Sequence, residues 1–513
     1  MSRLVVLVLV CAACGGGDDG DTGDGGTDAP SATGVTITAT TVFDSPSGSA
    51  SVPTDLSTTS FYVLQGTSFT RFPPTGFVMG GTDGTAHIPD VFAGPYLLVV
   101  NSNDYEPQTS HAVTWTTTSY GRPDAKVGGA NTTLEIRASG MQPWGGSDWY
   151  ALAASANGAT LAPSQALDQT TALPAAGATS FDETFAWGLA AAVSPQPTLL
   201  DPAQGDTVTL AHYAGAVDAD GDNVQVLAES ATLVPTTLQA TGDATVLSGA
   251  FSPLPATVPI AFHADVDAAV AALPPSLATD FADFSFAVTT GPLAKYGDTG
   301  GLEPLSITGV IDGMHDTGTL HLPALDASWT TLVTGGVDLF GVYVIPGTNG
   351  WQRYGDTYWQ AAFDPTSGTV SLPTSVPMAT GATVDGTSVL ERFVTWDETS
   401  PVTIAIDAPA GDHRVNLSRI DGVHTQVVAF VALGDATSIT LPGGLFDPGG
   451  YYMLEIGVSS QTSATDQQGS WLPFGKFRIG AAHESYCGDG VVDAALGETC
   501  DDGGQGACST TCE

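Results

Sequence analysis

At 513 residues, of which 42% are hydrophobic, the chain is long enough to bury about three or four separate cores and too apolar to be disordered. Its 54 acidic residues against 12 basic ones give a formal net charge of −42, and the only lysines are Lys126, Lys295 and Lys476. No basic run exists to displace counterions from a phosphate backbone, so a nucleic-acid partner is excluded. With only 13% charged residues, solubility rests on Ser, Thr, Gly and Asp, the composition of exposed β proteins and their turns.

The amino terminus, residues 1–13, reads MSRLVVLVLVCAA. Arg3 precedes an unbroken apolar run from Leu4 to Val10, and the small residues Ala12 and Ala13 stand directly before Cys14. This is the order of a signal peptide, and the run falls far short of the roughly 20 residues of a spanning helix. The segment resembles the lipobox of bacterial lipoproteins, departing from it at Cys11, where leucine is usual. The resemblance implies cleavage before Cys14 and a thioether-linked diacylglycerol on its sulfur, which would make the membrane a partner. An ordinary secretory signal cut after Ala13 would leave the same terminus without lipid. Gly15 follows where inner-membrane retention uses Asp, which implies an outer-membrane lipoprotein facing the periplasm or the exterior. Residues 14–33 are dense in Gly and Asp and nearly free of apolar side chains, so they read as a flexible tether.

From residue 34 the pattern becomes that of strands. Gly34–Phe43 alternates with period two, Phe61–Leu64 is a short apolar run, and Tyr96–Val100 (YLLVV) is the strongest strand signal, with Pro95 before it. The order G-T-D-G, then Ile88 and Val91, then A-G-P-Y-L-L resembles transthyretin-like and carboxypeptidase-regulatory-like modules. That implies a β-sandwich over residues 34–125. A second β-rich unit, 126–300, has strand-like runs at Thr133–Ser139, Asp206–Tyr213, Asn223–Leu227, Val258–His263 and Phe284–Thr289. Asp265–Leu273 predicts a short helix capped by Asp265 and stopped by Pro274 and Pro275. A third unit, 301–398, has runs at Leu305–Ile311, Thr319–Leu322 and Val342–Ile345. The fourth, 399–482, carries Val402–Ile406, Arg414–Ile420 and Gln426–Leu433. It ends in a pattern around Leu445, Pro448, Gly449, Tyr452 and Leu454 that resembles the corner of a fibronectin type III-like sandwich, where a tyrosine hydroxyl closes the turn. Tyr452, Leu454, Ile456 and Val458 share one strand face, the face to bury.

The last unit, 483–513, holds Cys487, Cys500, Cys508 and Cys512, separated by 12, 7 and 3 residues. A segment so short has no core and needs cross-links or a metal. In an exported chain two disulfides are the preferred reading over a four-thiolate zinc site, and three pairings are open. The pattern C-G-D-G…G-E-T-C-D-D-G…C-S-T-T-C resembles the myxobacterial cysteine-rich repeat, which implies a disulfide-stapled surface module. The fold class expected for the whole is therefore all-β: several tandem β-sandwich domains with a short disulfide-rich C-terminal module.

Chemistry is sparser. Asp218, Asp220 and Asp222 alternate around Gly221 and resemble the D-x-D-G-D of calcium-binding β modules, against an acidic hairpin turn as the plain alternative. Asp489, Glu498, Asp501 and Asp502 in the stapled tail are candidate ligands for a structural Ca2+ in the same way. His315 and His321 lie on one stretch and could pair on a metal. Trp351, Tyr354, Tyr358 and Trp359 crowd into WQRYGDTYWQ, a candidate surface for stacking on sugar rings, against ordinary core packing. No H-E-x-x-H, G-x-S-x-G or phosphate-binding glycine loop is present. The chain thus reads as a lipid-anchored cell-surface protein of non-catalytic binding or structural role. Its alternatives are an adhesin or carbohydrate-binding protein, engaging a cell-surface glycan or protein, and a hydrolase whose site is assembled from distant residues.

Overall fold

A computed structural model describes residues 33–45, 48–125, 132–154, 160–161, 173–187, 199–217, 223–233, 244–253, 257–265, 271, 281–291, 302–309, 315–323, 330–343, 351–362, 369–371, 376–389, 393–394, 400–421, 424–447, 451–461, 463 and 466–479. The architecture is all-β, as expected: strands joined into several sheets that pack in sandwich fashion, and a 3-10 turn lies at Pro202–Gln204.

The first sandwich shows how the pattern dictates the layers. Val35–Ser45 pairs antiparallel with Thr85–Ile88 and Gly48–Pro53 along one edge, and parallel with Ala112–Tyr120 along the other. Its period-two alternation sends Val35, Ile37 and Ala39 inward, where they meet Val113 and Trp115. The opposing sheet is built from Ser60–Gln65 and Tyr96–Val100, with Asp104–Gln108 beyond. These runs do not alternate in polarity, and a continuous apolar run signals a strand covered on both faces. Phe61, Val63, Leu98 and Val100 fill the first sandwich, whereas Tyr62, Leu64, Leu97 and Val99 enter a second core.

That second core belongs to the C-terminal unit. It contains Val415, Leu417, Ala429, Val431, Tyr452, Leu454, Ile456 and Val458, from a sheet of Asp412–Asp421, His424–Gly434, Tyr451–Gln461 and Gln467–Ile479. Facing it are Gly381–Val384, Val402–Asp407 and Ser438–Leu441. The expected tyrosine corner is present: the Asp447 amide donates to the Tyr452 hydroxyl at 2.6 Å, and the ring is 1% exposed. The two units are also stitched edge to edge, since Phe430 and Val431 pair in parallel with Asp104 and Tyr105.

The middle of the chain follows the same logic. Leu134–Ser139, Ser180–Phe185 and Thr245–Ala250 form one sheet, packed on Trp149–Ala154, Val208–Val217 and Asn223–Leu233 around an aromatic core. Further on, Phe281–Gly291 pairs with both Leu302–Gly309 and Thr330–Tyr343, and Thr257–Asp265 with His315–Pro323. Sheet pairing therefore crosses the boundary expected at residue 300. Of the helix expected at Asp265–Leu273, the capping Asp265 closes the strand Thr257–Asp265 and Ala271 is helical, while the rest lies outside the described residues.

Candidate functional site

Among the described residues, ionisable side chains converge most closely around His212, in the core of the second sandwich. Val208–Val217 and Asn223–Leu233 are antiparallel neighbours whose register shifts between His212 and Tyr213. This irregularity turns Glu229 inward opposite His212, while Tyr213 and Leu227 pack on the other face. His212 Nδ1 is hydrogen-bonded with Glu229 Oε1 at 2.8 Å, and Nε2 with Asp148 Oδ2 at 2.9 Å. Trp144 stacks on the imidazole at 4.8 Å between ring centroids and an interplanar angle of 14°, and Phe251 meets it edge-on.

The backbone is shaped to serve the carboxylates. The Gly145 amide donates to Asp148 Oδ2 at 2.6 Å, the Gly215 amide to Oδ1 at 3.2 Å, and the Gln142 amide to Glu229 Oε1 at 2.6 Å. A Cβ at Gly215 would fall 2.4 Å from the Ser147 carbonyl oxygen, so only glycine brings that amide close enough. Burial alone would raise the Asp148 carboxyl, but the Gly145 amide, His212 and the Gly215 amide outweigh it and hold it below the usual carboxylate range.

This geometry limits the chemistry. A carboxyl group occupies each imidazole nitrogen, so the imidazole is committed on both sides. It keeps no free nitrogen for a substrate proton or a metal, and His212, Asp148 and Glu229 have side-chain exposures of only 2%, 8% and 1%. The cluster is an internal clamp that holds the 141–148 loop against two strands.

A second buried ion pair lies nearby in sequence. Arg122 reaches Asp206 through Nε at 3.2 Å and Nη2 at 2.7 Å, and Asp206 also accepts from the Asp201 amide. This fork ties the segment leaving the first sandwich to the turn that opens Val208–Val217. In the first sandwich, Glu106, Tyr96 and Trp115 bring polar atoms together inside an apolar layer. The Trp115 indole lies close enough to the Glu106 carboxyl to favour its charged form, against the larger effect of burial.

The sites expected from sequence fare differently. Cys14, Cys487, Cys500, Cys508, Cys512, Asp489, Glu498, Asp501 and Asp502 lie outside the described residues. So do Asp218, Asp220 and Asp222, which connect two strands paired as far as Val217 and Asn223. Among the described residues no group of three or more His, Cys, Asp or Glu is arranged to hold a metal ion. His315 and His321 occupy one extended strand, His315–Pro323, which spaces them by roughly 20 Å and rules out a shared metal.

The aromatic stretch lies in the strand Trp351–Ala362. Trp359 is 8% exposed and belongs to the core shared with the C-terminal unit. Its ring lies on Gly335 across the strand pair, where a Cβ would sit 2.3 Å from Cζ2. Tyr358, on the opposite face of the strand, is largely buried near Ser459, and that burial raises its hydroxyl above the ordinary tyrosine range. These two rings therefore do not make an exposed sugar platform. The side chains of Trp351 and Tyr354 are outside the described set.

Sequence reasoning did not find the His212 cluster. Its partners stand 64 and 17 positions away, and the one local signal was a histidine among the apolar residues of an expected strand.

No protein-family model matches the chain, and no curated protein does. Among solved structures, a tetra-tandem repeat from the extending region of a large adhesion protein is 12% identical. It covers 86% of this chain and 100% of its own, at a TM-score of 0.13. The full-length RrgB pilus protein of Streptococcus pneumoniae is 10% identical over 91% of this chain and 96% of its own, also at 0.13. Escherichia coli alpha-2-macroglobulin activated by porcine elastase is 9% identical at 0.13, and the match spans 44% of its length. Superpositions of this extent assign no family.

Proposed function

We propose that the chain is a lipid-anchored protein of the bacterial cell envelope with a non-catalytic binding or structural role. The non-catalytic part is carried by one observation: the His212 cluster, where acid–base chemistry would be sought first, is sealed and bonded at both nitrogens. The anchoring part rests on Arg3, the Leu4–Val10 run and Ala12-Ala13-Cys14. In this reading the outer membrane is the address, residues 14–33 are the tether, and the β units project from it. Cys487, Cys500, Cys508 and Cys512 close two disulfides in the tail. Asp218, Asp220 and Asp222, with Asp489, Glu498, Asp501 and Asp502, take up structural Ca2+.

Two arms test the reading. Cys14→Ser should shift the protein from the membrane fraction to the soluble fraction, and retention of the variant in membranes would overturn the anchor. Calorimetry of the full chain should show calcium uptake that falls in the triple variant Asp218→Asn, Asp220→Asn, Asp222→Asn, and absence of any heat of binding would remove calcium from the proposal.

A further inference from the structure

Val78 pairs with Phe61 and packs against the core of the first sandwich, so its neighbours Phe77 and Met79 turn the other way. They are 52% and 53% exposed, more than any other large apolar side chain among the described residues. Met79 stands opposite Ser60 and Arg71 opposite Leu64, with Phe77 against Tyr62 between them, so the three line one rim of the sheet. The Arg71 Cζ sits 4.0 Å from the centre of the Tyr62 ring and 5.3 Å from that of Phe77. Tyr62 belongs to the core shared with the C-terminal unit, which gives the guanidinium a fixed floor.

The charge at this rim is left unanswered. Although the chain has 54 acidic residues to 12 basic ones, Arg71 meets no carboxylate among the described residues. Arg122, Arg137, Arg414 and Arg419 each meet one. Arg71 Nη2 donates to the Gly76 carbonyl, Nε is buried without a partner, and among the described residues Nη1 makes no hydrogen bond. Thr70–Phe72 and Val78–Met79 pair only with Ser60–Gln65 among the described residues, so the patch stands on a sheet edge. Pro73 and Pro74 interrupt that edge and offer no amide, so an incoming chain docks by its side chains and does not add a strand.

We infer that Arg71, Phe77 and Met79 form a docking site for a partner protein that presents a carboxylate beside an apolar side chain. Arginine, aromatic residues and methionine are the types that concentrate at the centres of protein interfaces. The aromatic rings fix the plane of the guanidinium, so little side-chain freedom is lost when a carboxylate meets its open Nη1 side. The partner's apolar side chain covers Phe77 and Met79, which shuts water away from the ion pair and strengthens it. An anionic membrane is the poorer occupant, because it calls for a cluster of cations and is repelled by a chain of net charge −42. The inference rests on the binding half of the proposed function and supplies the chemistry of the partner.

The test is an NMR titration of the full chain with isotope-labelled methionine methyls, read at the Met79 signal, which Met79→Leu assigns. The probes are acetyl-Leu-Glu-Phe-amide and acetyl-Leu-Gln-Phe-amide. The glutamate peptide should shift the Met79 methyl saturably and bind roughly tenfold or more tightly than the glutamine peptide. Arg71→Gln should erase that difference and Phe77→Ala should weaken both peptides, while the buried Met141 and Met453 methyls stay in place and report that each variant is folded. An unmoved Met79 methyl in wild type, or equal binding of the two peptides, overturns the inference even if no variant folds. So does a shift produced by phosphatidylglycerol vesicles and not by the glutamate peptide. Fractionation of Cys14→Ser reads the anchor and this titration reads the site, so either can fail without the other.

Discussion

Asp148 and Glu229 reach His212 from different elements, and the value of that convergence lies in satisfying buried polar groups where water is absent. Removing one partner of such a buried set leaves an uncompensated charge, which typically costs about 3–5 kcal/mol. His212→Ala should therefore destabilise the second sandwich by about that amount in chemical unfolding followed by Trp fluorescence. An effect under about 1 kcal/mol would mean that the carboxylates find water and that the clamp is weaker than its geometry implies. Asp148 and Glu106 also act on stability in opposite directions. Asp148 is held below its ordinary value, so its contribution is present at neutral pH and is lost as pH falls through the folded value. Glu106 is raised from 4.5 to about 7, so its unit is most stable below 4.5 and loses on the order of 3 kcal/mol as pH climbs to about 7. Unfolding midpoints measured against pH should accordingly rise with pH for the second sandwich only below 3.8, and fall with pH for the first sandwich between 4.5 and about 7. Parallel curves would contradict both assignments.

For whole strands, the amino-acid pattern told more than for single sites. Val402–Asp407 alternates in burial along its length, and its inward residues are the ones period two selects. Tyr96–Val100 was legible too, because five successive apolar residues fit only a strand covered on both sides. What covers its second face was not legible, since periodicity marks a buried face and never names the partner. Leu98→Ala should cost about 2–5 kcal/mol in the first sandwich, with little effect on the C-terminal core. Leu97→Ala, one residue away, should instead weaken the shared core. Exchange protection in the two units separates these outcomes, and identical responses would mean the strand does not divide its faces as described. The aromatic stretch teaches the converse. Crowded rings in WQRYGDTYWQ invite a ligand surface, yet Gly335 across the sheet leaves room for Trp359 to lie flat inside. Trp359→Ala should thus cost about 3–5 kcal/mol in stability. A variant of unchanged stability would restore a surface role for that ring.

Taken as a whole molecule, the chain is less a row of independent beads than its composition suggests. Strand pairing links Asn223–Leu233 to Leu302–Gly309, Trp351–Ala362 to Gln467–Ile479, and His424–Gly434 to Asp104–Gln108, joining units far apart in sequence. Such pairings follow from long-range closure and leave no local trace, which is why individual strands could be read but their edge-to-edge contacts could not. With so acidic and weakly basic a surface, and a buried histidine cluster that offers no free nitrogen, a binding or structural role at the envelope is the reading that joins the parts. Everything in that reading hangs from Cys14. Mass spectrometry of the mature amino terminus tests it most directly: the account predicts a chain that begins at Cys14 with diacylglycerol on its sulfur, and an unmodified Cys14 or cleavage at another residue would contradict it.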